Sequence, residues 1–437
     1  MNGIDPRQRI DETAMSRSQI IAVAITVGLN VLDGFDVLAI SFASPGIATE
    51  WGIDRAALGI VLAMELVGMA IGSVLLGQVT DRIGRRPMIL LCLVTMTLGM
   101  AMTATADSIE TLSAWRIFTG FGIGGMLAAT NAAAAEFSNA RSRSLCVSLM
   151  AIGYPVGAII GGAITAQLLA IYDWRAVFYF GACATALFIP LVLWLLPETV
   201  PFLCQSRRPG ALNRLNRALI RIGQPAADAM PSTVAQVRQN TTDIFRAPLV
   251  RTTIFLTTAY FMHIATFYFI IKWVPKIVTD MGFAASTAAG VLVWANVGGA
   301  LGGATLGLLT RIVPLRTLAI FVLLMSTLMV AVFGRGQTDI ATLSAIVGIA
   351  GFFTNAGVVA LYAMLAQSFP THARAAGTGF AIGVGRGGAA LSPIIAGYLF
   401  SAGVSLQWVA IVMGAGALVA ALALAVLRAP VIPEGAR

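Results

Sequence analysis

Twelve apolar segments determine what this chain can fold into. A helix crosses the hydrocarbon core of a bilayer when about 20 consecutive residues are predominantly apolar. Charged residues and Pro/Gly clusters separate segments near 18–43, 56–78, 87–105, 111–135, 144–170, 174–196, 250–273, 285–309, 315–334, 340–366, 375–401 and 406–427. The pattern predicts an all-α membrane protein. A soluble globule is excluded because only 11% of the residues are charged, against roughly a quarter in soluble domains.

One long polar and arginine-rich stretch separates the first six segments from the last six. The sequence therefore predicts five parts. They are an N-terminal tail (1–17), a six-helix bundle (18–196), a linker (197–249), a second six-helix bundle (250–427) and a C-terminal tail (428–437).

The positions of lysine and arginine predict how the chain is oriented. Cytoplasmic loops of membrane proteins hold an excess of these residues. With the N-terminus in the cytoplasm, most of the 28 lysines and arginines lie on the inner side, and the outer side holds Arg55, Arg175, Lys272, Lys276 and Arg335. We expect both termini, the linker and the tails to be cytoplasmic. The net charge of +9 does not indicate a nucleic-acid partner, because most of the surface is expected to face the lipid bilayer.

The chain lacks the usual signatures of an enzyme or a metal site. Its four cysteines, Cys92, Cys146, Cys183 and Cys204, show no CxxC or Cys/His spacing, so neither a disulfide framework nor a zinc site is predicted. The sequence contains no HExxH motif, no phosphate-binding Gly-Lys-Ser/Thr loop and no nucleophile with a nearby histidine. We therefore expect no enzymatic activity and no cofactor.

Three motifs resemble the signatures of the major facilitator superfamily. Residues 77–86 (GQVTDRIGRR) resemble its loop G-x-x-x-D-R-x-G-R-R, in the same position after the second segment. Residues 116–124 (RIFTGFGIG) are similar to R-x-x-x-G-x-G-x-G, and residues 197–203 (PETVPFL) to P-E-S-x-x-F-L. The resemblance implies the major-facilitator fold, with twelve transmembrane helices in two six-helix bundles.

Two further stretches resemble the aromatic acid:proton symporter family within that superfamily. Residues 33–36 (DGFD) are similar to its D-G-Y-D signature, with Phe35 in place of tyrosine. Residues 374–379 (RAAGTG) and 385–388 (GRGG) resemble its R-A-T-G-x-G and G-R-x-G stretches. The resemblance implies alternating-access import of a small aromatic carboxylate of the benzoate, hydroxybenzoate or lignin-derived type. The proton gradient is the energy source, and the expected location is a bacterial-type inner membrane.

Few charged or ionisable residues lie at bilayer depth, where they usually face a protein interior or a water cavity. They are Asp33, Asp36, Glu65, Arg116, Glu136, His263 and Arg386, with Lys272 at a segment end. Asp33 and Asp36 share one face of a helix because they are three residues apart. Two carboxyl groups that close repel when both are charged, so we expect the pair to bind the coupled proton.

Arg386 and Arg116 are the candidates for binding the substrate carboxylate. A guanidinium group offers a planar bidentate fork and stacks on aromatic rings, and Arg386 is favoured because it lies deep in its segment. Phe35 and Asp36 are expected beside the substrate. His263 is suited either to proton relay or to a hydrogen bond with the substrate.

The resemblance also implies a cytoplasmic gate. Its expected members are Gly77, Asp81, Arg82, Gly84, Arg85, Glu136, Arg141 and Arg374. Several helix ends that meet in ion pairs can form a two-state latch.

Two alternative functions remain open at this stage. The substrate could be a non-aromatic organic acid such as a muconate or lactone, or the chain could be a proton-coupled exporter. Residues 153–162 (GYPVGAIIGG) are imperfectly similar to a glycine and proline stretch of antiporters, although the same residues also suit bending and close helix packing. We expect a monomer.

Overall fold

A computed structural model describes residues 5–205, 209–231, 241–247, 249–370 and 373–427. The predicted C-terminal tail and part of the predicted linker lie outside these ranges. The described residues form α-helices and one short 3-10 helix, Thr241–Phe245, and they include no β-strand. The α-helices are α1 (Pro6–Glu12), α2 (Arg17–Trp51), α3 (Arg55–Ile83), α4 (Arg85–Ala104), α5 (Ile109–Phe137), α6 (Arg143–Ile171), α7 (Arg175–Leu195), α8 (Val200–Gln205), α9 (Ala211–Arg221), α10 (Leu249–Asp280), α11 (Ala285–Leu309), α12 (Leu315–Phe333), α13 (Ile340–Ser368), α14 (Arg374–Ser401) and α15 (Leu406–Val426).

Twelve helices in the described part of the chain are long and apolar enough to cross a membrane: α2 to α7 and α10 to α15. They correspond one to one with the twelve predicted segments. Large apolar side chains such as Leu75, Leu98 and Leu187 remain exposed, as expected for helices whose outer faces contact hydrocarbon. Such helices satisfy their backbone hydrogen bonds internally, which lipid requires.

Several helices are longer than the sequence predicts, and the largest differences are at the ends of α2 and α10. The first segment was expected to end near 43 and the seventh near 273, but α2 continues to Trp51 and α10 to Asp280. Both helices contain a proline, Pro45 and Pro275. A proline removes one backbone donor and usually ends or bends a helix, but within the membrane neighbouring helices and Ser/Thr side chains can compensate.

By its internal contacts the chain divides into two compact units. The first comprises Met1–Ala43 and Met64–Gln236, and the second comprises Ser44–Ala63 and Val237–Arg437. In the second unit, the Arg55 guanidinium pairs with the Asp280 carboxylate at 2.9 Å, and the backbone N–H of Ala56 donates to Ser401 Oγ at 2.8 Å.

The first unit includes three short helices outside the membrane spans, namely α1, α8 and α9. Asp5 caps α1 by accepting a hydrogen bond from the backbone N–H of Arg7. Leu215 and Leu219 of α9 are fully buried, while Arg9 of α1 donates to the carbonyl of Pro225 after α9 at 3.0 Å. Helix α1 and the linker helix α9 are therefore folded onto this unit.

Candidate functional site

Helix α2 buries two carboxyl groups in the middle of its membrane span. Asp33 is 2% exposed, and Asp36 is fully buried. None of their carboxyl oxygens has a hydrogen-bond partner among the described residues. A charged, unpartnered carboxylate at this depth costs several kcal/mol. The pair therefore has the surroundings that a carrier of protons needs.

The ring of Phe35, between these two aspartates, packs inside the first unit. It contacts Phe180 edge to face, with ring centroids 5.2 Å apart. Gly161 packs directly against the Phe35 ring, because a Cβ added at Gly161 would collide with the ring. Phe35 is 3% exposed, so its main contacts in this structure are with protein.

Arg116 of α5 is fully buried and forms an ion pair with Glu65 of α3, which is also fully buried. The Nη2 atom lies 2.5 Å from Glu65 Oε1 and donates to the backbone carbonyl of Asp36 at 3.1 Å. The Nη1 atom donates to Met100 Sδ, and the guanidinium lies over the Phe178 ring, 5.4 Å from its centroid. Arg116 thus links α3 to the carboxyl-bearing turn of α2.

A glycine-rich crossing between α3 and α5 brings Glu65 and Arg116 together. A Cβ at Gly120 would collide with the backbone carbonyl of Glu65, and one at Gly68 would collide with that of Ile117. Gly72 and Gly124 are in equally close contact along the same crossing. Small residues let transmembrane backbones approach closely. The R-x-x-x-G-x-G-x-G stretch therefore sets the distance between the two helices that hold the ion pair.

A second glycine contact positions the aspartate-bearing part of α2 against α6. A Cβ at Gly34 would strike the backbone carbonyl of Tyr154, and one at Gly157 would strike that of Val31. The stretch 153–162, which is imperfectly similar to an antiporter motif, serves as a packing surface here. The geometry matches the packing interpretation of this stretch.

In the second unit, His263 of α10 is fully buried. Its Nε2 lies 2.8 Å from the backbone carbonyl of Thr354 on α13. A carbonyl oxygen only accepts hydrogen bonds, so Nε2 is the protonated nitrogen and Nδ1 is the acceptor. Nδ1 is buried and has no partner among the described residues, so it can accept one proton or one hydrogen bond.

Arg386 of α14 is half-buried and lies near a pair of tyrosines. Tyr260 and Tyr362 share a hydrogen bond between their hydroxyl groups at 3.1 Å, and the Arg386 charge acts on the Tyr260 phenol. The ring of Tyr260 lies against Gly385, where a Cβ would collide with it. Arg386 forms no ion pair within the described residues, so its guanidinium remains available to an anion.

At one end of the first unit, Arg85 is the centre of a charge cluster. Its Nη2 lies 2.7 Å from Glu136 Oε1, its Nη1 lies 3.3 Å from Asp81 Oδ1, and its guanidinium lies over the Phe202 ring. The structure therefore brings together Asp81, Arg85 and Glu136 of the expected gate.

Glu198, which follows α7, caps the N-terminus of α4. Its Oε1 accepts hydrogen bonds from the backbone N–H groups of Arg85 at 3.0 Å and Thr199 at 2.8 Å, and Oε2 accepts from Arg86 at 3.3 Å. Gly84 precedes α4 with φ of +108°, and a Cβ there would collide with the Glu198 carboxylate. Burial raises the pKa of the Glu198 carboxyl above its ordinary value, although these hydrogen bonds oppose the rise.

The other expected gate residues lie outside this cluster. Arg82 is exposed on α3, and Gly77 faces open space. Arg141 is exposed in the turn before α6, and Arg374 is exposed at the start of α14 in the second unit. Neither Arg141 nor Arg374 makes an ion pair with another residue that the structure describes.

Sequence reasoning gave no role to Glu65, Glu198, Tyr260 or Tyr362. Glu65 was among the ionisable residues expected at bilayer depth, and its charge inside an apolar segment is the signal that could have given it a role. The role of Glu198 and the tyrosine pair depends on contacts with residues that are distant in the sequence. No local pattern indicates such contacts.

Comparison with known proteins gives matches over almost the whole chain. A family model described as "Major Facilitator Superfamily" matches residues 26–348 and, in a second match, 256–437. A gallate transporter of Pseudomonas putida is 30% identical over 426 residues, which are 96% of this chain and 94% of the relative. A 4-hydroxybenzoate transporter of the same organism is 29% identical over 395 residues, covering 89% of this chain and 88% of that protein.

Among solved structures, the xylose transporter of E. coli is similar, with a TM-score of 0.70 and 17% sequence identity. The match covers 93% of this chain and 95% of the xylose transporter. At this identity the likeness concerns the fold alone. It confirms the fold class predicted from the sequence.

Proposed function

Because the chain belongs to the major facilitator superfamily and its named relatives are membrane transporters, we propose that it imports a small aromatic carboxylate together with protons. Transport proceeds by alternating access. The substrate class is supported by relatives named as transporters of gallate, 4-hydroxybenzoate and 3-(3-hydroxy-phenyl)propionate. We place the protein in a bacterial inner membrane as a monomer, with both termini cytoplasmic.

The observation that carries the proton-coupling proposal is the burial of Asp33 and Asp36 with no hydrogen-bond partner for either carboxyl group among the described residues. A buried carboxylate that lacks a partner is strongly disfavoured relative to its neutral form. A proton can therefore bind there and neutralise the aspartate pair for the return step of the cycle. His263 offers a second buried acceptor at Nδ1.

Arg386 is the proposed ligand of the substrate carboxylate. Its charge has no ion-pair partner among the described residues, and it acts on the Tyr260 phenol, which shares a hydrogen bond with Tyr362. Arg116 is the weaker candidate, because its guanidinium is already engaged by Glu65. A guanidinium group and a phenolic hydroxyl are both suited to bind a carboxylate.

The direct test is uptake of labelled benzoate, 4-hydroxybenzoate and gallate, with muconate as the aliphatic comparison. Purified protein is reconstituted in vesicles with an imposed inward proton gradient. We expect aromatic acids to accumulate, and a protonophore to abolish the accumulation. Preference for muconate, or net export under the same gradient, would refute the proposal.

Single substitutions test whether the two aspartates of α2 couple transport to protons. Asp33→Asn and Asp36→Asn are expected to lose gradient-driven accumulation. Asp107→Asn, which changes an exposed aspartate, is the matched control and should transport like the wild type. Full accumulation by both α2 variants would remove the proton-coupling assignment.

A further inference from the structure

The buried ion pair between Glu65 and Arg116 has a consequence for proton coupling. The first unit holds three buried carboxyl groups close together, Asp33, Asp36 and Glu65, against the single guanidinium of Arg116. Electrostatic interactions connect Asp36 with Arg116 and with Glu65, and Asp33 with Asp36. The position of the Arg116 guanidinium relative to Glu65 and Asp36 therefore decides how strongly the Asp36 carboxyl of α2 binds a proton.

The geometry favours Glu65 as the partner of Arg116. The Nη2 atom lies 2.5 Å from Glu65 Oε1, whereas it reaches Asp36 only through that residue's backbone carbonyl, at 3.1 Å. The carboxyl oxygens of Asp36 have no hydrogen-bond partner among the described residues. Because the guanidinium pairs with Glu65, it does not form a hydrogen bond with the Asp36 carboxyl.

The position of Glu65 is fixed by backbone contacts. Gly120, one turn from Arg116, lies against the backbone carbonyl of Glu65, and Gly68 lies against that of Ile117. No flexible side chain separates the two helices at these points. The ion pair is therefore held by the crossing of α3 and α5 as well as by its charges.

We propose that Glu65 is a positioning residue for proton coupling, which holds Arg116 so that the Asp36 carboxyl stays free to exchange a proton. The inference rests on the proposed proton-coupled transport. Glu65 itself does not contact the substrate and does not need to change its charge. Its effect is exerted entirely through Arg116.

Two single substitutions should act in opposite directions. In Glu65→Gln the guanidinium loses its partner and turns its full charge toward Asp36, which makes proton binding harder. In Arg116→Gln the positive charge is absent, which makes proton binding easier. In the double variant the two charge changes offset each other. Two titratable neighbours are the same in all variants: the Cys92 thiol of α4, which interacts with Asp33, and Tyr154 of α6, whose backbone lies against Gly34.

The measurement is substrate counterflow with labelled 4-hydroxybenzoate in vesicles that have the same pH on both sides, so that no gradient drives the exchange. For Glu65→Gln we expect the pH of half-maximal exchange to fall by about one unit, a tenfold change in proton affinity. For Arg116→Gln we expect it to rise, and for the double variant to return toward the wild type. Glu65→Asp, which keeps the charge, should restore the wild-type profile.

The possible outcomes separate two failures. If wild-type exchange does not depend on pH and a protonophore does not affect uptake, the proposed function itself is wrong. If the wild type depends on pH but Glu65→Gln only lowers the rate at every pH, Glu65 is purely structural and the inference is overturned. Should Arg116→Gln fail to fold, the comparison of Glu65→Gln with the double variant decides, because a neutral buried pair removes the uncompensated charge.

Discussion

Replacing Glu198 by alanine should weaken the first unit measurably, because this one side chain caps α4 from a position distant in the sequence. The carboxylate accepts hydrogen bonds from Arg85, Arg86 and Thr199 at 3.0, 3.3 and 2.8 Å. Without it, the first-turn donors Arg85 N–H and Arg86 N–H have no acceptor. A buried unsatisfied donor costs about 1–3 kcal/mol, and loss of an N-cap alone costs about 0.5–2 kcal/mol.

Removing a half-desolvated carboxylate returns part of that cost, so we expect a net loss of about 2–4 kcal/mol. For a unit of this size, each kcal/mol corresponds to roughly 2–4 °C in Tm. The Tm of Glu198→Ala should therefore fall by about 4–16 °C in detergent, measured by intrinsic fluorescence. Glu110→Ala, which changes an exposed carboxylate in the first turn of α5, is the control and should change the Tm little.

The same side chain predicts a pH dependence with a definite sign. Burial raises the pKa of Glu198 above its ordinary value of 4.5, so folding favours the protonated form. Its contribution to the free energy of unfolding is therefore largest below pH 4.5 and declines as the pH rises through the raised pKa. Glu198→Gln keeps an acceptor oxygen and should lack this decline. A Tm of Glu198→Ala within 1 °C of the wild type, or an unchanged pH dependence in Glu198→Gln, would refute the capping argument.

Three further substitutions test other contacts. Gly34→Ala places a Cβ against the backbone carbonyl of Tyr154, so we expect little folded protein by size-exclusion chromatography; Gly77→Ala, in open space, should fold normally, and equal yields would contradict the packing argument. Arg386→Gln should reduce substrate affinity in counterflow at least tenfold, a loss of about 1.4 kcal/mol, and an unaltered affinity would exclude Arg386 as the carboxylate ligand. His263→Gln keeps a donor for the Thr354 carbonyl but cannot titrate, so counterflow should persist while gradient-driven accumulation falls; unchanged accumulation would remove His263 from the proton path.

The sequence predicted the membrane spans well because a bilayer demands long apolar helices and leaves few alternatives. Helix α11 begins and ends at the predicted residues, 285 and 309. The largest errors occur at the ends of α2 and α10, where a proline was taken as a helix end. Pro45 and Pro275 instead lie inside these helices, because the consequence of a proline depends on neighbours that a local pattern does not include.

The candidate site was predictable where charge alone identifies it. Asp33, Asp36, Arg386 and His263 stand out because ionisable groups are costly in a bilayer. The resemblance to aromatic acid transporters, based on the stretch at residues 33–36, is confirmed by the named relatives.

Partnerships between buried groups were not predictable in the same way. The sequence shows that Glu65 and Arg116 lie within membrane spans, but it does not show that they are paired. Their pairing depends on which faces of α3 and α5 meet, and that is decided by backbone contacts at Gly68 and Gly120. Because the sequence does not reveal this pairing, Arg116 was considered as a ligand of the substrate carboxylate. In the structure its closest anionic contact is Glu65.

The crossing of α3 and α5 has a consequence for how such a protein can diversify. Because glycine and backbone atoms form the contact, the distance from Glu65 to Arg116 does not depend on side-chain rotamers that other substitutions could disturb. Under the proposed function, substitutions around Tyr260 and Tyr362 in the second unit should therefore change which acid is accepted without altering the electrostatics of the aspartate pair. Under that proposal, a chain built in this way can acquire new substrates while its coupling to protons stays the same.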